Sequence, residues 1–157
     1  MIKIICGVDV SKARLDACIE PGSIRGSFDN DAAGIAALAA FCRQHQASLA
    51  VMEATGGYER QAFLLLWEEG IACAMTNPRS VRRYAEAMGI LEKTDRIDCR
   101  VIARFAHAKD LQPTPAPTPA QQRLKAFVAR LRQVTDDLTV QNVALVPIAL
   151  TDPRARQ

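Results

Sequence analysis

The chain has 157 residues, enough for one domain with a short appendage, and its 49% hydrophobic and 24% charged residues are ordinary for a globular protein. The net charge of +3 is too small to establish a nucleic-acid partner by itself. Asp9 interrupts the short apolar run at the N-terminus, and no stretch reaches the roughly 18 apolar residues of a membrane span, so the pattern argues against a signal peptide and a membrane partner.

Three short strands are predicted first, over residues 2–9, 13–20 and 23–29. Residues 2–9 are rich in Ile and Val, and Pro21-Gly22 marks one of the tight turns between the strands. This part of the sequence therefore predicts an antiparallel meander.

Helices and strands then alternate along the chain. Asp31 and Asn77 are suitable N-caps for two of the helices, and Gly70 follows another as a C-terminal stop. The predicted segments are a helix over 32–45, a strand over 48–54, a helix over 58–69, a strand over 71–76 and a helix over 79–88. The order predicts an α/β fold, with a mixed five-stranded sheet and helices on its faces.

The C-terminal part is predicted to contain two more helices, over 95–109 and 119–142. The segment 112–119 between them has proline at every second position, as is typical of a semi-rigid linker. Because the last helix lies beyond this linker, we expect its apolar stripe to dock on a partner and to form a homo-oligomer through residues 119–142. The predicted division is a catalytic domain over 1–111, a linker over 112–119, and a helical extension over 120–157 that begins a truncated or absent C-terminal region.

Two acids fall on the apolar face of the helix predicted over 95–109. At about 100° per residue, Asp95 and Asp98 both lie among the apolar side chains of this helix, and a desolvated carboxylate costs several kcal/mol unless it is paired. A divalent cation would relieve that cost. The alternative is that Asp95 caps the helix and Asp98 is a first-turn acid favoured by the helix dipole, and the helix alone does not decide between the two.

Two further acids stand at the ends of predicted strands. Asp9 closes the first strand and Glu53 closes the fourth, each after an apolar run. Taken singly, Asp9 is better interpreted as a turn residue, and Glu53 as a strand-end acid paired with an arginine. If the two strands are neighbours, both acids lie at the same edge region of the sheet, and four converging carboxylates then favour a metal site.

Four motifs carry a family resemblance that covers about residues 1–140. They are GVDVSK (7–12), VMEATGGYE (51–59), NPRSVRRYAEAMG (77–89) and KTDRIDCRVIARFA (93–106). In this order they closely resemble the DEDD insertion-sequence transposases, which are related to the pilin-gene invertases and to RuvC-type junction resolvases. The resemblance implies a ribonuclease-H-like (RuvC-like) fold.

The resemblance also implies a catalytic metal site made of Asp9, Glu53, Asp95 and Asp98. The implied chemistry is Mg²⁺-dependent phosphodiester cleavage and strand transfer with two metal ions, and Mn²⁺ is expected to substitute. We expect Asp9 to bridge the two ions because it lies on the central strand. Family members continue into a second domain that carries a catalytic serine, whereas this chain stops soon after the predicted last helix.

Basic residues near the acids are candidates for contacts with DNA phosphates. They are Lys12, Arg79, Arg82, Arg83, Lys93, Arg96 and Arg100. The alternative is an ordinary solvated helix face, and the two interpretations are about equally good for the stripe Arg96, Arg100 and Arg104. The resemblance adds a structured guide RNA as a second candidate partner.

Two other functions remain open at this point. The first is a non-catalytic, truncated transposase fragment that binds nucleic acid or dimerises. The second, which is less favoured, is an actin-like phosphotransferase. Such an enzyme needs Gly and Ser or Thr directly after the first acid, where this chain has Val10.

The cysteines indicate the redox environment. Their number is odd, no CxxC pair occurs, and most lie in apolar runs; they are Cys6, Cys18, Cys42, Cys73 and Cys99. This pattern argues against a disulfide framework or a zinc site, and we expect a reducing, cytoplasmic location. His45 and His107 are isolated in the sequence.

Overall fold

The computed structural model describes residues 3–90 and 98–121, and residues 123, 124, 127, 128, 130, 131, 133–135, 137 and 138. Its first part is the predicted meander of β1 (Ile5–Val10), β2 (Arg14–Glu20) and β3 (Ile24–Asp29). β1 pairs antiparallel with β2, and β2 pairs antiparallel with β3.

The remaining elements alternate as the sequence predicts. They are α1 (Ala32–Gln44), β4 (Leu49–Glu53), α2 (Glu59–Glu68), β5 (Cys73–Thr76), α3 (Pro78–Ala87) and α4 (Cys99–Ala108). The sheet order is β3-β2-β1-β4-β5, and β4 lies parallel to both β1 and β5. The mixed five-stranded sheet with flanking helices is therefore confirmed, and its order and strand directions are those of the ribonuclease-H-like fold.

Both faces of the sheet are covered, which explains the nearly continuous apolar runs of β1 and β4. On one face, α1 and α2 pack through Ile35, Leu38 and Leu66 against Val8 and Met52. On the other face, α3 and α4 contribute a second cluster of buried residues: Val81, Ala85, Val101, Ile102 and Phe105, against Ile5, Leu49 and Val51. β1 is the central strand of the sheet.

Local capping fixes where two of the helices begin. The Asp31 side chain accepts a hydrogen bond from the Gly34 nitrogen at 2.8 Å, and the Asn77 side chain accepts one from the Arg79 nitrogen at 2.8 Å. These bonds satisfy backbone donors that have no partner inside the helix. Both predicted caps are confirmed.

A close approach between α4 and β1 depends on Gly7. A methyl group on Gly7 would overlap the Cys99 carbonyl oxygen and would lie 2.6 Å from the Ala103 nitrogen. Only glycine therefore lets the first turn of α4 lie directly on β1, two residues before Asp9.

The proline-rich segment begins along the free edge of β5. The Thr114 nitrogen donates to the Cys73 carbonyl oxygen at 2.8 Å, and the Met75 nitrogen donates to Thr114 Oγ1 at 3.1 Å. The first residues of the predicted linker thus satisfy backbone groups that an edge strand leaves open. The chain divides into two compact units, Met1–Ala116 and Pro117–Gln157.

In the second unit, a capping box marks a helix start. Thr118 Oγ1 accepts from the Gln121 nitrogen at 3.2 Å, and the Thr118 nitrogen donates to Gln121 Oε1 at 2.9 Å. Pro119 then takes the first helical position, which proline suits. The residues described between 119 and 138 are helical, as predicted.

The five cysteines are free and buried. Burial raises the pKa of the Cys73 and Cys99 thiols to about 12, so both are protonated at neutral pH. Among the described residues, no helix has the length and hydropathy that crossing a bilayer requires.

Candidate metal and DNA site

Asp9 and Glu53 lie on neighbouring parallel strands. Val8 of β1 is paired with Met52 of β4, so the next residues along each strand are Asp9 and Glu53. Val8 and Met52 point into the core cluster under α1 and α2, and side chains alternate along a strand. Asp9 and Glu53 therefore share the opposite face, the one covered by α3 and α4, as expected if their strands are neighbours.

Glu53 is a buried carboxylate with an orphaned oxygen. Its residue is 8% exposed, and within the described residues Glu53 Oε1 has no hydrogen-bond partner. Burial, and after it the nearby charge of Asp9, raise the pKa of Glu53 to about 7, against an opposing effect of Arg82. An ionised Glu53 thus needs a cation that the described side chains do not fully supply.

The loop after Glu53 is fixed by a second buried acid, Glu59. One oxygen, Glu59 Oε2, accepts from the Thr55 nitrogen at 3.1 Å, the Gly57 nitrogen at 2.9 Å and Thr55 Oγ1 at 3.3 Å. Three donors on one oxygen hold the Thr55–Gly57 loop in place beside Glu53. This role of Glu59 was not predicted, although its position two residues after Gly57 is visible in the motif.

Asp98 is an N-cap, which corrects the predicted helix over 95–109. α4 begins at Cys99, and Asp98 has an extended backbone with φ −108° and ψ 170°. Asp98 Oδ1 accepts from the Val101 nitrogen at 3.0 Å, and Asp98 Oδ2 accepts from Arg25 Nη2 at 3.0 Å. Placing Asp98 on the apolar helix face was therefore wrong, because a capping aspartate lies outside the helical turn and this side chain is half exposed. Placing Asp98 in the first turn was wrong for the same reason, while the predicted capping by Asp95 lies outside the described residues.

Asp95, Lys93 and Arg96 lie outside the described residues, so their predicted roles stay predictions. The apolar arc predicted for the rest of this helix is confirmed by the burial of Val101, Ile102 and Phe105.

A cleft of about 400 Å³ opens beside Asp9 and Asp98. Its lining residues come from β1, β2, β3 and the start of α4, and they are Asp9, Asp16, Ala17, Arg25, Gly26, Ser27, Asp98 and Cys99. Asp16, which was not predicted as a site residue, is paired directly with Asp9 across the β1–β2 hairpin. Like charges directly opposite each other destabilise a sheet unless a cation intervenes. The missed signal was the register of the hairpin.

A short network of hydrogen bonds supports Asp16. Ser27 Oγ donates to Asp16 Oδ1 and accepts from Arg14 Nη2 at 2.7 Å, while Arg14 Nη1 donates to Asp29 Oδ1 at 3.0 Å. This network of hydrogen bonds holds Asp16 on the β3 side of the cleft.

The carboxylates that line the cleft, and Glu53 on the strand beside Asp9, are the type of ligand that a hard divalent cation prefers. Carboxylate oxygens are the ligands that Mg²⁺ and Mn²⁺ prefer, and the orphaned Glu53 Oε1 is a suitable donor. In the part of the chain that the structure describes, no three His, Cys, Asp or Glu side chains are placed together to hold a metal ion. Both Asp98 oxygens already have partners within this part.

Comparison with known proteins decides the family. A model described as a transposase matches residues 6–146. The chain belongs to the DEDD insertion-sequence transposase family. The resemblance noted in the four sequence motifs is therefore confirmed.

Two curated relatives of this transposase chain are the pilin gene-inverting proteins of Moraxella lacunata and Moraxella bovis. Each is 28% identical over 119 residues, which make up 72% of this chain and 37% of the relative. The chain thus spans little more than a third of the length of these relatives.

Among solved structures, the transposase chain is similar to RuvC of Thermus thermophilus. A RuvC structure in complex with a Holliday junction substrate gives a TM-score of 0.48 at 13% identity, covering 73% of this chain and 99% of that one. Another RuvC structure gives a TM-score of 0.41 at 13% identity, with 73% and 84% covered.

The candidate phosphate-binding residues of this transposase chain differ in their surroundings. Lys12, Arg79 and Arg83 are exposed. Arg82 Nη1 lies 3.7 Å from Glu86 Oε1, and the positive charge of Arg82 lowers the pKa of Glu53. Arg100 Nε donates to Glu20 Oε1 at 3.0 Å, so a DNA phosphate would have to compete with Glu20 for Arg100.

Proposed function

We propose that this chain is the metal-binding catalytic domain of a DNA transposase or site-specific recombinase. It cleaves phosphodiester bonds and transfers DNA strands with Mg²⁺, for which Mn²⁺ substitutes. The observation that carries the proposal is Glu53, a buried carboxylate beside Asp9 with an orphaned oxygen. Family membership supports the same chemistry, because transposition requires breaking and joining DNA.

The proposed ligands are Asp9, Glu53, Asp95 and Asp98, with Asp9 on the central strand as the bridging ligand. A pair of divalent cations at these ligands would activate the attacking oxygen and stabilise the leaving oxygen. With a pKa of about 7, Glu53 is only partly ionised at neutral pH without a cation, and a bound cation would favour the ionised form. Glu59 keeps the loop after Glu53 in place during this change.

The proposed DNA contacts are electrostatic and independent of base sequence. Lys12, Arg79 and Arg83 are exposed and can reach backbone phosphates without breaking an ion pair in the described part of the chain. Lys93, Arg96, Arg82 and Arg100 complete the proposed set. Titrating the protein with labelled structured RNA, in parallel with labelled DNA, tests whether a guide RNA is a partner.

Metal binding is tested by thermal unfolding of the 157-residue protein with increasing Mg²⁺ or Mn²⁺. A cation at about 100 times its Kd stabilises the folded state by about 2.7 kcal/mol, which raises Tm by several degrees. Glu53→Gln and Asp98→Asn should abolish this rise. The matched control is Glu69→Gln, because Glu69 is a half-exposed acid that pairs with Arg43 and does not line the cleft.

A wild-type Tm that does not respond to either cation contradicts the metal site. An equal loss in Glu69→Gln would show that the effect is general surface charge rather than a site.

The non-catalytic alternative is favoured by one observation, the exposed apolar residues Leu124, Phe127 and Leu131 of the second unit. A fragment that only binds or dimerises would bind metal without cutting DNA. Labelled branched DNA, incubated with the protein in Mg²⁺ or in EDTA, separates the two functions. Mg²⁺-dependent cleavage or joining that Glu53→Gln removes supports the catalytic proposal, and its absence in metal-binding protein supports the alternative.

A further inference from the structure

Arg25 and Asp98 form an ion pair across the cleft. Arg25 Nη2 lies 3.0 Å from Asp98 Oδ2, and the two residues are separated by 73 positions in the sequence. Both side chains are about half exposed, at 57% and 46%. The pair therefore lies where an incoming ligand can reach it.

This pair occupies the oxygen that a cation would need. Asp98 Oδ1 is used in capping α4, where it accepts from the Val101 nitrogen at 3.0 Å. Asp98 Oδ2 is the remaining oxygen, and Arg25 holds it. The positive guanidinium at Oδ2 repels a cation that approaches the same oxygen, so the Arg25–Asp98 pair competes with metal binding at Asp98.

Arg25 is also the basic residue among those that line the cleft, together with Asp9, Asp16 and Asp98. Within the described residues, its guanidinium hydrogen bonds run through Nη2 to Asp98. Guanidinium groups bind phosphate through two parallel N–H donors, which makes arginine a strong ligand for a DNA backbone.

We propose that Arg25 is a phosphate-binding and positioning residue of the candidate site. It holds Asp98 while the cleft is without DNA and moves its guanidinium to a backbone phosphate when DNA enters, which releases Asp98 Oδ2 to the cation. The exchange conserves charge pairing, since phosphate replaces Asp98 at Arg25 and the cation replaces Arg25 at Asp98. This inference rests on the proposed metal site.

The exchange predicts opposite changes in two affinities. Calorimetric titration of DNA-free Arg25→Ala with Mn²⁺ should show binding about threefold to fivefold tighter than wild type, the gain expected when an exposed ion pair no longer competes. In EDTA, the same variant should bind labelled branched DNA more weakly, with a salt slope smaller by about 1. A merely structural role would weaken both.

Three further variants isolate the cause. Arg25→Lys keeps the charge but loses the planar fork, so its Mn²⁺ affinity should stay near wild type while DNA binding weakens. Arg43→Ala removes a similarly exposed ion pair, with Glu69, and should change neither affinity. In an Asp98→Asn background, Arg25→Ala should still weaken DNA binding in EDTA, because Arg25 and not Asp98 contacts the phosphate.

Unchanged or weaker Mn²⁺ binding by Arg25→Ala, or unchanged DNA binding, overturns the exchange. If Glu53→Gln abolishes Mn²⁺ binding in the same experiments, only the role of Arg25 has failed. If wild type binds no Mn²⁺ at all, the proposed function fails, and this inference fails with it.

Discussion

Glu53 combines two effects that disfavour its charge, burial at the end of β4 and the neighbouring carboxylate of Asp9. Its pKa is raised from 4.5 to about 7, so the folded protein holds a proton that the unfolded chain releases above about pH 4.5. The resulting contribution to stability is fully present below about pH 4.5 and is lost as pH rises to about 7.

Glu53→Gln should therefore stabilise the metal-free protein at high pH. A shift of this size corresponds to about 3 kcal/mol, so in EDTA the variant should exceed wild type by that amount near pH 8 and match it near pH 4.5. Urea unfolding across this range measures the difference.

The control for this experiment is Glu69→Gln, which removes an exposed acid paired with Arg43 and should change stability by less than about 1 kcal/mol at any pH. A wild-type-minus-variant difference that stays flat with pH would contradict the raised pKa of Glu53.

At the level of secondary-structure elements, the close packing of α4 on β1 at Gly7 brings Asp98 toward Asp9. The first turn of α4 lies so close to β1 that only a glycine leaves room for the Cys99 carbonyl and the Ala103 nitrogen. Because both of these are backbone atoms, a larger residue cannot be accommodated by a side-chain rotation and must displace the helix.

Gly7→Ala should destabilise the protein by about 3 kcal/mol and weaken its response to Mg²⁺, since α4 carries Asp98. Urea unfolding and the metal titration check the two effects. The control is Gly70→Ala, where an added methyl meets nothing within 4 Å and the φ of +77° alone should cost about 1 kcal/mol. Equal costs for the two variants would argue against the close packing of α4 on β1.

Local signals account for what the sequence could predict about these elements. Asp31 and Asn77 cap helices through bonds to residues two or three positions away, so the cap and its target lie in one short window of sequence. Asp95 and Asp98 are equally good caps by that criterion. The second partner of Asp98 is Arg25 from a distant strand, which no local pattern contains. Asp16 was missed for a similar reason, because its place beside Asp9 depends on strand register.

The second unit of the molecule has an apolar surface that the described residues of this unit do not cover. Leu124, Phe127, Leu131, Val134 and Leu138 are spaced alternately by three and four residues, and all are exposed, with Phe127 at 70%. This spacing is that of the a and d positions of a coiled coil. In aqueous solution, a helix with such a stripe removes it from water by pairing with another helix.

We expect a second copy of the chain to supply that helix, as the sequence predicts for residues 119–142. Leu131→Glu puts a charge in the middle of the stripe and should shift the protein to a monomer, because a buried unpaired carboxylate costs several kcal/mol. Gln133→Glu adds the same charge two residues away, off the a and d positions, and should leave the oligomer intact. Sedimentation equilibrium over a range of protein concentrations distinguishes the species.

A wild-type chain that stays monomeric at every concentration would rule out pairing through this helix. It would leave the metal-site proposal standing, because Asp9, Glu53 and Asp98 all belong to the first unit.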